Sequence, residues 1–213
     1  MPSLRRTPLT LGYLCLLALS TVLLHLLDPA TRDALLAASS TDVAHLASDP
    51  LGVMVASALF LPDLHWLVHA LELAAVLVPL ERRYGAAQVL LVFACGHVLA
   101  TLATELPVAY AVGHHLLPVA AAHRLDVGVS YGFYAALGSC LLLVRPRVRA
   151  ALLVAAGAVV LVPLALDLDL TTTGHLLALA CGLACAPLLR QRGNGAAAPR
   201  RPVELVQPRW ATA

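Results

Sequence analysis

The stretch "RLDVGVSYGFYAALGS", residues 124–139, runs from a charged pair, Arg124 and Asp126, into a segment of small and apolar side chains. A segment of this kind suits lipid, and Gly128, Ser130 and Gly132 stand at its polar end. The Ser130 hydroxyl has two chemical readings. It bonds back to a carbonyl of its own helix, or it is a nucleophile at the mouth of a membrane-embedded site.

The rest of the chain fixes the setting. Of 213 residues, 60 % are hydrophobic and 12 % charged, with a mean hydropathy of +0.84. Soluble domains are about half apolar and about a quarter charged, so this composition is that of a membrane protein. A net charge of +2, with no basic run interleaved with aromatic residues, excludes a nucleic-acid partner. The five cysteines (Cys15, Cys95, Cys140, Cys181 and Cys185) lie in apolar stretches without a C-x-x-C pair, which reads as free thiols acting as small hydrophobes.

A membrane helix needs about 20 mostly apolar residues. Six stretches meet that measure: 8–27, 64–80, 88–106, 127–144, 148–166 and 173–190. Placing the N-terminus in the cytoplasm puts twelve arginines on inner segments and two, Arg32 and Arg124, on outer ones. Acids gather on the other side, among them Asp28, Asp42, Asp49, Glu105, Asp126 and Asp169. The predicted fold is an all-α membrane protein, a six-helix bundle over 1–190 with both termini cytoplasmic. Residues 191–213, rich in Gly, Pro and Arg, are predicted to be a disordered cytoplasmic tail. Residues 28–63 form a long outer loop with the amphipathic pieces "ATRDALLAA" and "LGVMVASALF", and 107–125 form a second outer loop broken by Pro107 and Pro118.

Ionisable side chains within spans are costly and mark function or buried pairing. The second span places His65, His69 and Glu72 at i, i+4 and i+7, on one helical stripe. The third holds His97, Thr101, Thr104 and Glu105, and the sixth holds His175 one turn from its outer end. Ser130, His65, His69 and His175 thus share the outer half of the membrane. Serine becomes a competent nucleophile when an imidazole takes its proton, and the tetrahedral intermediate needs donors aimed at its oxyanion. Close approach of the fourth and sixth spans is expected from two small-residue stripes, Gly128/Gly132/Ala136 and Ala178/Gly182/Ala186. The same residues admit structural histidines, or a metal site on His65, His69 and Glu72.

Taken in order, the motifs resemble those of the rhomboid intramembrane serine proteases, and more closely a divergent bacterial rhomboid-like group, over about residues 45–190. "PLERRYG" resembles the Glu-x-Arg-x-Gly turn after the second span, at Glu81, Arg83 and Gly85. His65, sixteen residues before Glu81, is similar to the histidine of the second-span His-x-x-x-Asn motif, with His69 in place of Asn. "GVS" resembles the start of Gly-x-Ser-Gly, and "GHLLALACG" the sixth-span His-x-x-Gly-x-x-x-Gly, giving His175 and Gly182. Tyr134 matches an aromatic that packs on the catalytic histidine in the family, and Gly138 a packing glycine.

The resemblance implies Ser130 as nucleophile and His175 as general base, with no third carboxylate and no cofactor. It implies His65 and the Ser130 backbone N–H as oxyanion donors, with His69 and Gly128 beside them. Tyr131, Gly132, Tyr134, Gly182, Glu81 and Arg83 become supporting residues. Tyr131 departs from the family glycine, and its bulk is expected to crowd the oxyanion site or to alter the backbone around Ser130. Ala178 replaces a packing glycine, the Trp-Arg pair expected near Leu51 and Gly52 is absent, and His97 has no counterpart. The implied activity is endopeptidase cleavage of transmembrane segments by a multi-pass protein of the cell membrane, whose partners are a substrate helix and the bilayer. Two other readings stand beside it: a non-catalytic binder of membrane helices, and a metal or proton pathway through His65, His69, Glu72, His97 and Glu105.

Overall fold

Pro8, locked at a helical φ and lacking an N–H, opens the first α-helix, and the computed structural model describes residues 7–62, 65–166 and 169–195. Among these residues there are nine α-helices and no strand. Each of the six apolar stretches holds an α-helix: α1 (Pro8–Leu26), α5 (Trp66–Tyr84), α6 (Ala86–Gly113), α7 (Ser130–Cys140), α8 (Pro146–Leu166) and α9 (Leu170–Gly195). Of these, α1 and α6 are each long and apolar enough to cross a bilayer among the described residues. Helix α9 continues to Gly195, five residues beyond the boundary expected for the tail. Arg5, Arg6 and residues 196–213 lie outside the described residues.

The surface agrees with the solvent that composition implies. Leu16, Leu19 and Leu26 on α1 and Leu90, Leu99 and Leu106 on α6 point outward, while Glu81, His97, Thr101, Thr104 and Glu105 are buried. Water would not tolerate so wide an apolar exterior. Inside, Leu17 of α1 meets Leu73, Leu77 and Leu80 of α5, with Phe93 of α6 and Ala136 of α7 completing the cluster.

The turn "PLERRYG" has a structural task. Glu81 is 3 % exposed, and its carboxylate accepts hydrogen bonds from the Leu9 N–H (2.8 Å), the Thr10 N–H (2.8 Å) and the Thr10 hydroxyl (2.6 Å). It therefore closes the N-terminus of α1, where the first N–H groups lack intrahelical acceptors and the helix dipole favours a negative charge. Gly85 links α5 to α6 at φ 89°, a conformation that penalises any Cβ. Arg83 stays exposed, its guanidinium 5.2 Å from the Tyr84 ring centre.

The connection between α1 and α5 holds three short helices, α2 (Pro29–Ala38), α3 (Val43–Ser48) and α4 (Pro50–Ser57), each N-capped by an aspartate: Asp28, Asp42 and Asp49. The second loop begins later than expected. Pro107 sits inside α6, which runs on to Gly113 and ends with the His114 ring stacked on Tyr110, 4.0 Å between centroids. One proline removes a single helical hydrogen bond, and the surrounding apolar turns keep the helix intact.

Helices α6, α7 and α9 form the centre, and small residues set their spacing. A Cβ on Gly182 would overlap the Ala135 backbone, one on Gly138 the backbone around Leu179 and Leu183, and one on Gly132 the Phe93 ring. The Ser139 hydroxyl donates to the Gly182 carbonyl at 2.7 Å across the α7–α9 seam. The stripe read as Gly128/Gly132/Ala136 is corrected accordingly. Helix α7 begins at Ser130, so Gly128 lies in the preceding loop at φ 146°, Gly132 faces α6, and the α9 seam uses Ala135, Gly138 and Ser139.

Candidate active site

The segment before Ser130 is fastened on three sides. Arg124 donates from Nη2 to Glu105 Oε1 of α6 (2.5 Å) and from Nη1 to the Thr171 hydroxyl of α9 (3.3 Å). The Asp126 N–H donates to the Ser40 hydroxyl (3.0 Å), and the Thr41 N–H donates to the Asp126 carbonyl (2.9 Å). The Gly128 N–H donates to the Ser57 carbonyl at the end of α4 (3.1 Å). Burial opposes the Arg124 charge, but the bonded Glu105 carboxylate outweighs it and keeps the guanidinium firmly cationic. Burial pushes the Asp126 carboxyl above its ordinary value, against the pull of Arg124.

This anchoring delivers Ser130 as the first residue of α7. Its backbone N–H, at a helix N-terminus, has no acceptor within the helix. The side chain lines a cavity of about 320 Å³ with His175 of α9, His69 and Glu72 of α5, and Tyr134 of α7. The lining residues of α5, α7 and α9 all come from the N-terminal halves of these helices.

His175 is held between two tyrosines. Tyr134 stacks on it with centroids 4.4 Å apart and planes at 28°, and Tyr131 meets it edge-on at 5.6 Å and 72°. The imidazole Nε2 is buried with no hydrogen-bond partner among the described residues. No hydrogen bond joins Ser130 to His175 among the described residues, although one cavity holds both.

Tyr131 departs from the expectation that it crowds the oxyanion site. Its side chain is 3 % exposed and turns away from the cavity into a cluster with Ala100 and Ala178. Gly174 makes the room: a Cβ there would overlap the Tyr131 ring. The hydroxyl lies towards Thr104 without forming a well-shaped hydrogen bond. The physical reason is register, since residue 131 follows the helix start directly and its Cβ points at α6 and α9.

His65 is placed apart. Helix α5 begins at Trp66, so His65 is its N-cap residue with a non-helical backbone (φ −83°, ψ 52°) and leaves the predicted stripe. It lines a different cavity, with Thr21 and His25 of α1. His69 is the α5 histidine beside Ser130, with its Nδ1 3.3 Å from Glu72 Oε2.

His97 serves structure: its Nε2 lies 3.1 Å from the Met54 carbonyl and 3.1 Å from the Ser57 hydroxyl, tying α4 to α6. Among the described residues, no group of three or more His, Cys, Asp or Glu side chains could hold a metal ion. The set His65, His69, Glu72, His97 and Glu105 is not assembled, because its α6 members face α4 and Arg124. Sequence reasoning missed the aspartate caps, which the pattern of Asp followed by Pro or by a helix start marks at Asp28, Asp42 and Asp49. It also missed Gly174, which carries no signal without knowledge of where Tyr131 goes.

No curated protein and no solved structure matches the chain. The family described as rhomboid-like protein matches residues 3–195, which takes in every helix described above and the cavity. The chain belongs to this rhomboid-like family of membrane proteins.

Proposed function

We propose that this protein is an intramembrane serine endopeptidase that cuts transmembrane segments of other membrane proteins near their outer ends. The observation that carries the reading is the shared cavity of Ser130 and His175, with Tyr134 stacked on the imidazole. In this mechanism Ser130 Oγ attacks the scissile carbonyl carbon while its proton passes to His175. The oxyanion forms at the N-terminus of α7, where the Ser130 N–H and the His69 ring are the donors. Collapse breaks the C–N bond, the amine leaves with the proton from His175, and water then hydrolyses the Ser130 ester by the same route in reverse. The six apolar helices span the cell membrane with both termini in the cytoplasm, which puts the cavity in the outer half. A substrate helix enters from the lipid side and unwinds locally, because helical carbonyls are hidden from attack.

The absence of a Ser130–His175 hydrogen bond among the described residues favours a second reading, a non-catalytic binder of membrane helices. Catalytic hydrogen bonds often tighten only in the substrate complex, so the protease reading takes precedence. A fluorophosphonate probe on the purified full-length protein decides between them. Wild type is expected to label at Ser130, with labelling lost in Ser130→Ala and strongly reduced in His175→Ala. Labelling of wild type no better than Ser130→Ala would sink the protease reading and leave the helix binder.

A further inference from the structure

Glu72 is the seventh residue of α5, about 9 Å along the helix axis from its start at a rise of about 1.5 Å per residue. On a membrane helix that depth is expensive for a carboxylate turned to lipid. Glu72 instead lines the Ser130–His175 cavity, and 51 % of its side chain is exposed there and at the surface. Its partner among the described residues is His69, at 3.3 Å and with 27 % of its side chain exposed. An exposed pair of this length contributes little and is readily displaced.

The remainder of the wall fits one kind of visitor. Leu61, Leu73 and Phe133 supply an apolar surface along which a long aliphatic stem can lie, and no arginine lines the cavity among the described residues. Arginine and lysine combine such a stem with a cationic head. A carboxylate in the cavity wall attracts that head by its opposite charge.

We infer that Glu72 is a specificity-determining residue: it selects membrane segments that place a basic side chain beside the peptide bond presented to Ser130. The inference names the substrate class of the site and rests on the proposal that a membrane segment enters this cavity. The basic head reaches the Glu72 carboxylate and the stem lies on Leu73 and Phe133. An acidic residue at the same place meets repulsion, and an apolar one leaves the carboxylate with the weak His69 pair alone among the described residues.

The test uses the full-length protein in lipid vesicles and synthetic transmembrane segments that differ at one position. That position is scanned through both sides of the cleaved bond as Arg, Met or Glu. At one position, wild type is expected to prefer Arg over Met about tenfold in kcat/KM, as for one charge-assisted contact. In Glu72→Gln the Arg-to-Met ratio falls towards one, and in Glu72→Arg the Glu segment overtakes the Arg segment. A ratio near one at every position in wild type, or one unchanged in Glu72→Gln, overturns the inference. A parallel arm measures binding of the same segments to Ser130→Ala protein, with and without Glu72→Gln, by energy transfer from a labelled segment. If nothing is cleaved, the endopeptidase reading fails while the binding ratio still decides the role of Glu72. Arg preference in binding, lost with Glu72→Gln, upholds that role, and its absence, or no binding at all, overturns it.

Discussion

Tyr131 meets the His175 ring edge-on, 5.6 Å between centroids, in space that Gly174 leaves open. The residue that breaks the family's Gly-x-Ser-Gly pattern is thus part of the seat of the candidate base. With Tyr134 one turn along on the same helix, it fixes the imidazole from two directions.

Restoring the family glycine is therefore expected to harm the protein. Tyr131→Gly removes a ring that is 3 % exposed, and the cavity left behind costs about 3–5 kcal/mol, as for other aromatic truncations. Tyr131→Phe stays within about 1 kcal/mol of wild type, because it deletes a hydroxyl that lacks a well-formed hydrogen bond. Reversible unfolding in detergent micelles measures both. A Tyr131→Gly protein as stable as wild type would show that the ring fills no space.

Gly174 and Tyr131 are expected to be energetically coupled. Gly174→Ala costs about 1–3 kcal/mol by overpacking against the tyrosine ring. In a Tyr131→Ala background the same change costs less than half as much, since the ring it would strike is gone. A double-mutant cycle from the same unfolding measurements gives the coupling, and strict additivity would contradict the contact.

The two charged residues of "PLERRYG" are expected to behave differently. Glu81→Ala leaves three donors at the α1 terminus without their acceptor and lowers stability by about 2–3 kcal/mol. Arg83→Ala, on an exposed side chain, changes it by about 0.5 kcal/mol or less. Limited proteolysis at the N-terminal end of α1 is expected to accelerate in the first variant alone. Equal losses in the two variants would assign the motif to something other than the cap.

Asp126 sets a pH dependence. Burial raises its folded-state value, so its contribution to stability is fully present below the ordinary carboxylate value of about 3.9 and is lost as pH rises through the raised value. The unfolding temperature of wild type is expected to fall relative to that of Asp126→Asn as pH is raised from about 4 to about 7. A difference between the two proteins that stays constant across this range would remove Asp126 as the cause.

Hydropathy pointed to six apolar segments, each of which holds an α-helix, and two of these helices, α1 and α6, are long and apolar enough to cross a bilayer among the described residues. The order of short motifs placed Ser130, His175 and Tyr134 in one neighbourhood, and all three line one cavity. What the chain did not disclose depends on rotation about helix axes. Successive residues on a helix are turned by about 100°, and packing sets Gly132 against Phe93 and Tyr131 against Ala100 and Ala178. His65 was misplaced for a related reason, as the residue just before a helix does not follow its stripe. Pro107 looked like a stop signal because the propensity of one residue was set against none of the packing that holds α6 together.

The Glu81 cap spans 71 residues of sequence, from Thr10 to the far end of α5. During synthesis α1 leaves the ribosome well before its acceptor exists, so its leading N–H groups lack the Glu81 carboxylate until α5 has been made. The order in which the chain is built thereby sets when its first helix is locked, and α1 is expected to stay adjustable until the second apolar segment arrives.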